Sequence, residues 1–205
     1  MGAHAQQPLR RRYTVEEYLR RERASLDKHE YDDGEILAMA GSTRAHSLIA
    51  TNVAGELNAR LRDRPCIAYN SDLRIRLAGR RKYVYPDVTV ICGDAIADPD
   101  DDAGETFTNP LLIVEVLSPS TDTYDRSKKF ERYREVPSFR EYVLVAQDEA
   151  RVETFYRSDD GMWVLDTASG TDAAIRLRSL GIDLQLAEVY RKLQLPPPKP
   201  MGDAG

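Results

Sequence analysis

The sequence predicts a globular protein that contains both helices and strands. Residues 111–117 are apolar at six of seven positions and are flanked by prolines, which is typical of a strand covered on both faces. Apolar side chains recur at helical spacing within residues 42–62. Shorter apolar runs, separated by turn-forming residues, predict further strands and hairpins.

Size and composition fit one soluble domain. The chain has 205 residues, of which 41% are apolar and 31% are charged. We expect a single domain at residues 13–193, with flexible tails at 1–12 and 194–205. Because no apolar run is long enough to cross a membrane and no secretory signal is visible, we expect a cytoplasmic protein without membrane contact. Cys66 and Cys92 are then expected to be reduced thiols.

The N-terminal region predicts a helix followed by a hairpin. Residues 14–17 have the Thr-x-x-Glu form of a capping box, which marks the start of a helix. Residues 29–39 are typical of a hairpin whose turn is the Asp-Gly pair at 33–34. Glu30 and Glu35 flank this turn, where they can be exposed strand residues or accessory groups of a catalytic site.

The second predicted helix carries a histidine near its start. It covers about residues 42–62, with Ser42 as a possible N-cap. His46 lies at the edge of the apolar stripe. It can be a partly buried first-turn residue bonded to a neighbour, or it can reach an active site.

A basic segment is the candidate surface for phosphate groups. Residues 73–77 alternate apolar and basic side chains, so one face of this strand is predicted to be basic, and a basic turn follows. Since the net charge is −5, contact with nucleic acid must come from a local patch of this kind. An ordinary solvated hairpin is the alternative. The five cations are Arg74, Arg76, Arg80, Arg81 and Lys82.

Two carboxylates occupy unusual places on predicted strands. Asp87 follows Pro86 at the start of the apolar run 88–91. Glu115 is the charged residue within the buried run 111–117. An ionised carboxylate there is costly unless a cation, a metal or a proton compensates it.

The acidic segment at residues 93–109 is predicted to be a solvated loop. Its aspartates resemble a calcium-binding loop only superficially. A proline interrupts the spacing, and the closing glutamate position is occupied by Asn109.

A helix predicted at about residues 122–135 places a cation on its inward side. Asp125, Lys129 and Tyr133 recur at helical spacing and share one face. Lys129 can therefore compensate Glu115. Alternatively, it can extend past aromatic side chains or pair only with Asp125.

The C-terminal segments predict further strands and a closing helix. Residues 139–145 are an apolar strand, and 151–157 with 162–167 are typical of a hairpin. Residues 175–177 can add a short strand. The apolar stripe within residues 186–193 predicts an amphipathic helix.

The unusual side chains suggest a reaction. If their strands are neighbours, Asp87 and Glu115 repel each other unless a cation separates them. Oxygen ligands favour Mg²⁺ or Mn²⁺, and the backbone carbonyl of Val116 can add a ligand. Such an ion activates water and stabilises a phosphoryl oxygen, while Lys129 can position the water or neutralise charge. These roles suggest metal-dependent hydrolysis of a phosphodiester.

The same residues carry a family resemblance. Pro86-Asp87 followed by Glu115-Val116-Leu117 resembles the PD-(D/E)XK nuclease motif, although Leu117 occupies the usual lysine position. Over residues 13–193, the chain resembles the Uma family of restriction-endonuclease-like proteins. The strings that carry this resemblance are Asp-Gly-Glu-Ile at 33–36, His46, Tyr-Pro-Asp at 85–87, Glu-Val-Leu-Ser-Pro-Ser-Thr at 115–121 and Asp-Arg-x-x-Lys at 125–129.

The resemblance implies a restriction-endonuclease-like α/β fold, in which a central mixed β-sheet is flanked by α-helices; the C-terminal β-hairpin is additional. It implies DNA as partner, cleavage with Mg²⁺ or Mn²⁺, and often a homodimer. Asp87 and Glu115 would be metal ligands and Lys129 the catalytic lysine. Glu30, Glu35 and His46 are accessory candidates near the same site.

Three hypotheses follow for the function of the chain. The first is a metal-dependent DNA endonuclease. The second is a non-catalytic module that binds nucleic acid or protein, in keeping with the acidic net charge and the displaced lysine. The third is a purely structural network in which Glu115, Lys129 and Asp125 compensate one another without a metal.

Overall fold

The structure, a computed structural model, describes residues 11–39, 41–77, 81–118 and 125–195. Most of the two predicted tails lies outside these ranges, as does Arg80. The helices are α1 (Val15–Ala24), α2 (Arg44–Arg60), α3 (a π-helical turn Asp125–Lys129 continued by the α-helical turn Phe130–Tyr133) and α4 (Leu186–Val189). The first eight strands are β1 (His29–Asp32), β2 (Glu35–Ala38), β3 (Cys66–Asn70), β4 (Arg74–Leu77), β5 (Lys82–Val84), β6 (Val88–Cys92), β7 (Thr106–Phe107) and β8 (Leu112–Leu117). The remaining strands are β9 (Glu141–Ala146), β10 (Arg151–Arg157), β11 (Trp163–Ser169), β12 (Ala174–Leu177) and β13 (Ile182–Gln185).

A six-stranded mixed sheet lies at the centre, in the order β11-β10-β9-β8-β6-β3. Strands β8 and β9 are parallel, and the other neighbours in this sheet are antiparallel. The predicted C-terminal hairpin is present as β10 and β11, which extend this sheet. A second sheet has the order β2-β1-β5-β4-β7, and β12 pairs with β13, a strand that the sequence did not predict.

Packing divides these elements into layers. Helix α2 and the C-terminal elements cover one face of the central sheet, where Ile49, Val53 and Leu57 share a core with Val114 and Val116. The other face of the central sheet packs against β4, β5 and α3. Helix α1 packs on the second sheet through an aromatic cluster that includes Tyr18 and Tyr31. The central strand β8 is thus covered on both faces, as its sequence predicts.

Local signals explain several element boundaries. The capping box at Thr14 is present, with Glu17 bonded back to the Thr14 backbone. Asp33 and Gly34 adopt φ values of 43° and 102° in the hairpin turn, a conformation that glycine accepts readily. Helix α2 begins later than predicted, because Thr43 rather than Ser42 accepts the first-turn hydrogen bond.

The segment at 93–109 corrects an expectation. Asp98 and Asp101 are almost fully buried, with 2% and 3% exposure, instead of solvated. Asp98 accepts hydrogen bonds from Arg76 and Tyr83, and Asp101 pairs with Arg74. This segment therefore folds back on the second sheet.

The cysteines also differ from the expectation of reduced thiols. Cys66 and Cys92 lie opposite each other in the antiparallel pair β3–β6 and form a disulfide in this structure. Within the described ranges, no helix has the length and apolar character needed to span a bilayer.

Candidate active site

Glu115 lies between the two sheets. Every residue of β8 is buried, and alternate side chains point to opposite faces. Its neighbours on the same face, Ile113 and Leu117, belong to the core that β4, β5 and α3 complete. The Glu115 side chain is therefore removed from bulk water, with 4% exposure of the residue.

Helix α3 supplies the partners of this buried carboxylate. Lys129 Nζ lies 2.9 Å from Glu115 Oε1 and 3.3 Å from Asp125 Oδ1. The hydroxyl of Tyr133 donates a hydrogen bond of 2.7 Å to the same Glu115 oxygen. All four residues are buried, so one ammonium group lies between two carboxylates in a low-dielectric layer.

Asp87 joins the site from the adjacent strand. The antiparallel pairing of Val88 with Val114 brings Asp87, one residue earlier, opposite Glu115. Asp87 Oδ2 accepts a hydrogen bond of 2.7 Å from the backbone N–H of Val116. His46 Nε2 lies 3.1 Å from the same oxygen, so α2 contributes its first turn to the site.

The accessory glutamates occupy different positions. Glu30 is within electrostatic reach of the site, since its pKa is raised by burial and is also affected by the charges of Lys129 and Asp125. Glu35 lies at the turn end of the hairpin, where its backbone is opposite that of Asp32 in the antiparallel register of β1 and β2. The structure therefore brings Glu30 and His46 to the centre and leaves Glu35 toward the hairpin end.

The charges at this centre are strongly coupled. Burial, reinforced by Asp87 and Asp125 and opposed by Lys129, raises the pKa of Glu115 to about 8. Burial also raises the pKa of Glu30. Although burial alone would lower the pKa of Lys129, the nearby carboxylates of Glu115, Glu30 and Asp125 outweigh it and raise this pKa. Lys129 is therefore positively charged at neutral pH.

The residues present fit a hard divalent cation. Asp87 and Glu115 offer carboxylate oxygens from opposed strand positions, and Asp125 Oδ1 is a buried atom without a hydrogen bond, although Lys129 lies 3.3 Å away. Within the described residues, His, Cys, Asp and Glu side chains form no group of three or more arranged around a common metal position. Two carboxylates completed by water and a backbone carbonyl are a donor set suited to Mg²⁺, which retains water ligands.

The predicted basic patch is corrected at two positions. Arg74 is 3% exposed and donates to Thr106 at 2.7 Å and to Asp101 at 2.8 Å. Lys82 is fully buried and lies 3.4 Å from Asp32. Both cations pair with acids. Arg74 pairs with Asp101 of the segment before β7, and Lys82 lies near Asp32, a partly buried residue on the neighbouring strand β1.

The other cations of the patch differ in accessibility. Arg76 is half-buried and lies between Asp98 and Asp100. Arg81 is exposed, and Arg80 lies outside the described residues. Arg44, which the sequence did not single out, is exposed at the start of α2, two residues before His46.

Sequence reasoning missed two contacts that organise the site. Tyr133 was predicted to face inward, but nothing in the spacing indicated that its hydroxyl would contact Glu115. Arg132 of α3, which the sequence did not single out, lies 2.7 Å from Asp32 and connects α3 with the second sheet. Both contacts join segments that are distant in sequence, so no local pattern encodes them.

The fold and this site define an α/β protein of the restriction-endonuclease-like class. Residues 15–188 match the model of the Uma2 family, whose description is "Putative restriction endonuclease". The chain belongs to this family. Two uncharacterized proteins of Synechocystis sp. are each 36% identical to it, over 94% and 82% of this chain and 99% and 94% of their own lengths.

A solved structure supports the fold assignment. The crystal structure of a protein from Anabaena variabilis, described as a putative nuclease belonging to DUF820, superposes with a TM-score of 0.67. The match covers 87% of this chain and 97% of that chain at 18% identity. At this identity the likeness concerns the fold, so the chemistry has to be argued from the residues themselves.

Proposed function

We propose that this protein is a DNA endonuclease that hydrolyses phosphodiester bonds with Mg²⁺ or Mn²⁺. The observation that carries the proposal is that Asp87 lies opposite Glu115 on the neighbouring strand and that Lys129 forms an ion pair with Glu115. The family description and the nuclease-like fold support the same reaction class. The carboxylates of Asp87 and Glu115, with the Val116 carbonyl, would hold the cation.

Each protein group has a physical task in this reaction. Water adds its oxygen to phosphorus while one P–O ester bond breaks, and the departing oxygen takes up a proton. A bound divalent cation supplies Lewis acidity and lowers the pKa of a coordinated water. Lys129 adds a fixed positive charge that stabilises the negative charge growing on the phosphoryl group. His46 and the Val116 N–H hold Asp87 in place.

We propose a narrow DNA contact surface that includes Arg44 and Arg81; Arg80, the sequence neighbour of Arg81, lies outside the described residues. Arg44 and Arg81 are exposed, and Arg44 is the first residue of α2, the helix whose first turn carries His46. We leave out Arg74, Arg76 and Lys82, since each of these predicted contacts is paired with an acid. A few phosphate contacts agree with the net charge of −5, because a broad electrostatic surface would require a basic protein. The cytoplasmic location and the homodimer implied by family resemblance stay predictions.

Supercoiled plasmid provides the direct test. Purified wild-type protein should nick or linearise the plasmid in Mg²⁺ or Mn²⁺, and EDTA should stop the reaction. Asp87→Asn and Glu115→Gln, purified in the same way, should be inactive because each removes one charged ligand while preserving shape. Equal cleavage by all three proteins would assign the activity to a contaminant and contradict the proposal.

The second candidate is a binding module on the same fold. The acidic net charge and the absence of a lysine at position 117 favour it. It predicts that wild-type protein retards DNA in a gel without cleaving it in either metal. It also predicts that Lys129→Met binds DNA as the wild type does.

A further inference from the structure

Tyr133 holds the same carboxylate oxygen as Lys129. Its hydroxyl donates to Glu115 Oε1 at 2.7 Å, and Lys129 Nζ lies 2.9 Å from that atom. Lys129 and Tyr133 are four residues apart, about one helical turn, on α3. One oxygen of Glu115 therefore contacts two donors from the same helix.

The Tyr133 ring is itself immobilised. The residue is fully buried, and its ring centroid lies 5.7 Å from that of Phe139 and 5.4 Å from that of Tyr142. Such packing allows no alternative rotamer without displacing core side chains. The hydroxyl is therefore a fixed donor.

We infer that Tyr133 is a positioning residue that fixes the plane of the Glu115 carboxylate, so that its second oxygen is presented to a divalent cation shared with Asp87. The inference rests on the proposed function, since it assumes that Glu115 is a metal ligand. A hydrogen bond of this kind restricts the rotation of a ligand, and its loss typically weakens metal binding by about 10–100-fold.

Mn²⁺ binding, followed by electron paramagnetic resonance, tests this role without relying on catalysis. The variants are Tyr133→Phe and the matched control Tyr190→Phe. Tyr190 is also buried, and its hydroxyl lies 2.9 Å from the Ala146 carbonyl oxygen in the core on the other face of the central sheet. Both variants lose one buried hydroxyl, and Tyr190→Phe should lose at least as much thermal stability as Tyr133→Phe, because the Tyr190 hydroxyl also bonds the backbone of Arg151. Only Tyr133→Phe should bind Mn²⁺ about 10–100-fold more weakly.

The outcomes separate the inference from the proposed function. If wild-type protein binds Mn²⁺ and Tyr133→Phe binds it equally well, the positioning role is wrong while the metal site stands. If wild-type protein binds no Mn²⁺, or if Glu115→Gln binds it undiminished, the metal site itself is wrong. Plasmid cleavage by Tyr133→Phe should recover at saturating Mn²⁺, because the defect lies in metal affinity.

A crystal of the wild-type protein grown with Mn²⁺ gives a measurement that does not depend on the folding of a variant. The anomalous signal should lie beside Asp87 and the second oxygen of Glu115, with the Tyr133 hydroxyl still on Oε1. Manganese bound to Oε1 in place of that hydroxyl would overturn the inference.

Discussion

The Nζ atom of Lys129 lies 2.9 Å from Oε1 of Glu115, so α3 supplies the cation to this buried carboxylate. In the motif that the chain resembles, the lysine stands two residues after the glutamate, where this chain has Leu117. Leu117 packs in the core between the sheets, on the same face as Glu115. A lysine can thus reach the buried glutamate either from the same strand or from the following helix, because its position in space, not its position in sequence, determines this contact.

Replacing Lys129 with methionine should remove most of the cleavage activity. The loss of a fixed positive charge in a buried site typically lowers kcat by about 100–1,000-fold. The matched control is Lys128→Met, because Lys128 is exposed on the same helical turn. Single-turnover cleavage measured below the melting temperature of both variants checks this prediction. Wild-type rates in Lys129→Met would contradict the catalytic role.

The stability of the metal-free protein should fall as pH rises from about 4.5 to about 8. Burial raises the pKa of Glu115 to about 8 from an unperturbed value of 4.5, although Lys129 opposes the shift. In that interval the unfolded chain releases a proton that the folded chain still holds, so alkaline conditions favour unfolding. Urea unfolding at several pH values measures this slope. Glu115→Gln should reduce the slope, with Glu30 contributing to the remainder because burial raises its pKa as well, and an unchanged slope would show that Glu115 does not cause it.

Arg74 should contribute to stability rather than to DNA binding. It is buried beside Asp101, Thr106 and Tyr85, so Arg74→Met leaves a carboxylate without its cation. Breaking such a pair costs about 3–5 kcal/mol of unfolding free energy. Arg81→Ala is the comparison, since Arg81 is exposed and its loss should weaken DNA binding with little change in stability. If Arg74→Met instead weakens DNA binding in a gel-shift assay and leaves the unfolding free energy unchanged, Arg74 belongs to the DNA contact surface.

Replacing His46 with glutamine should weaken metal binding by about tenfold. His46 Nε2 lies 3.1 Å from Asp87 Oδ2. This hydrogen bond from α2 orients the Asp87 carboxylate, which is a proposed metal ligand. The control is His29→Gln, because His29 is also paired with an acid, Glu22, at 3.0 Å. Half-saturating Mn²⁺ in the cleavage assay measures the change. Equal shifts in the two variants would indicate a general loss of structure.

Local patterns predicted those features that depend on neighbouring residues. The Asp33-Gly34 turn follows from the positive φ values that a tight hairpin requires. Lys129 is buried as its spacing predicts, and β8 is covered on both faces as its apolar run predicts. These outcomes require only periodicity and the chemistry of a few residues.

Features that depend on distant segments were not predictable. Arg74 alternates with apolar neighbours as an exposed residue would, yet Asp101 covers it from a segment far along the chain. The same contact explains why an acidic stretch is partly buried rather than solvated. Likewise, the disulfide depends on the register of β3 against β6, which no local pattern specifies.

The most direct test of the account is whether Asp87 and Glu115 hold a divalent cation together. The melting temperature of metal-free wild-type protein should rise on addition of Mn²⁺, since a ligand that binds only the folded state stabilises it. Neither Asp87→Asn nor Glu115→Gln should show this rise at the same concentration. An equal rise in all three proteins would place the ion elsewhere and remove the basis of the proposed nuclease.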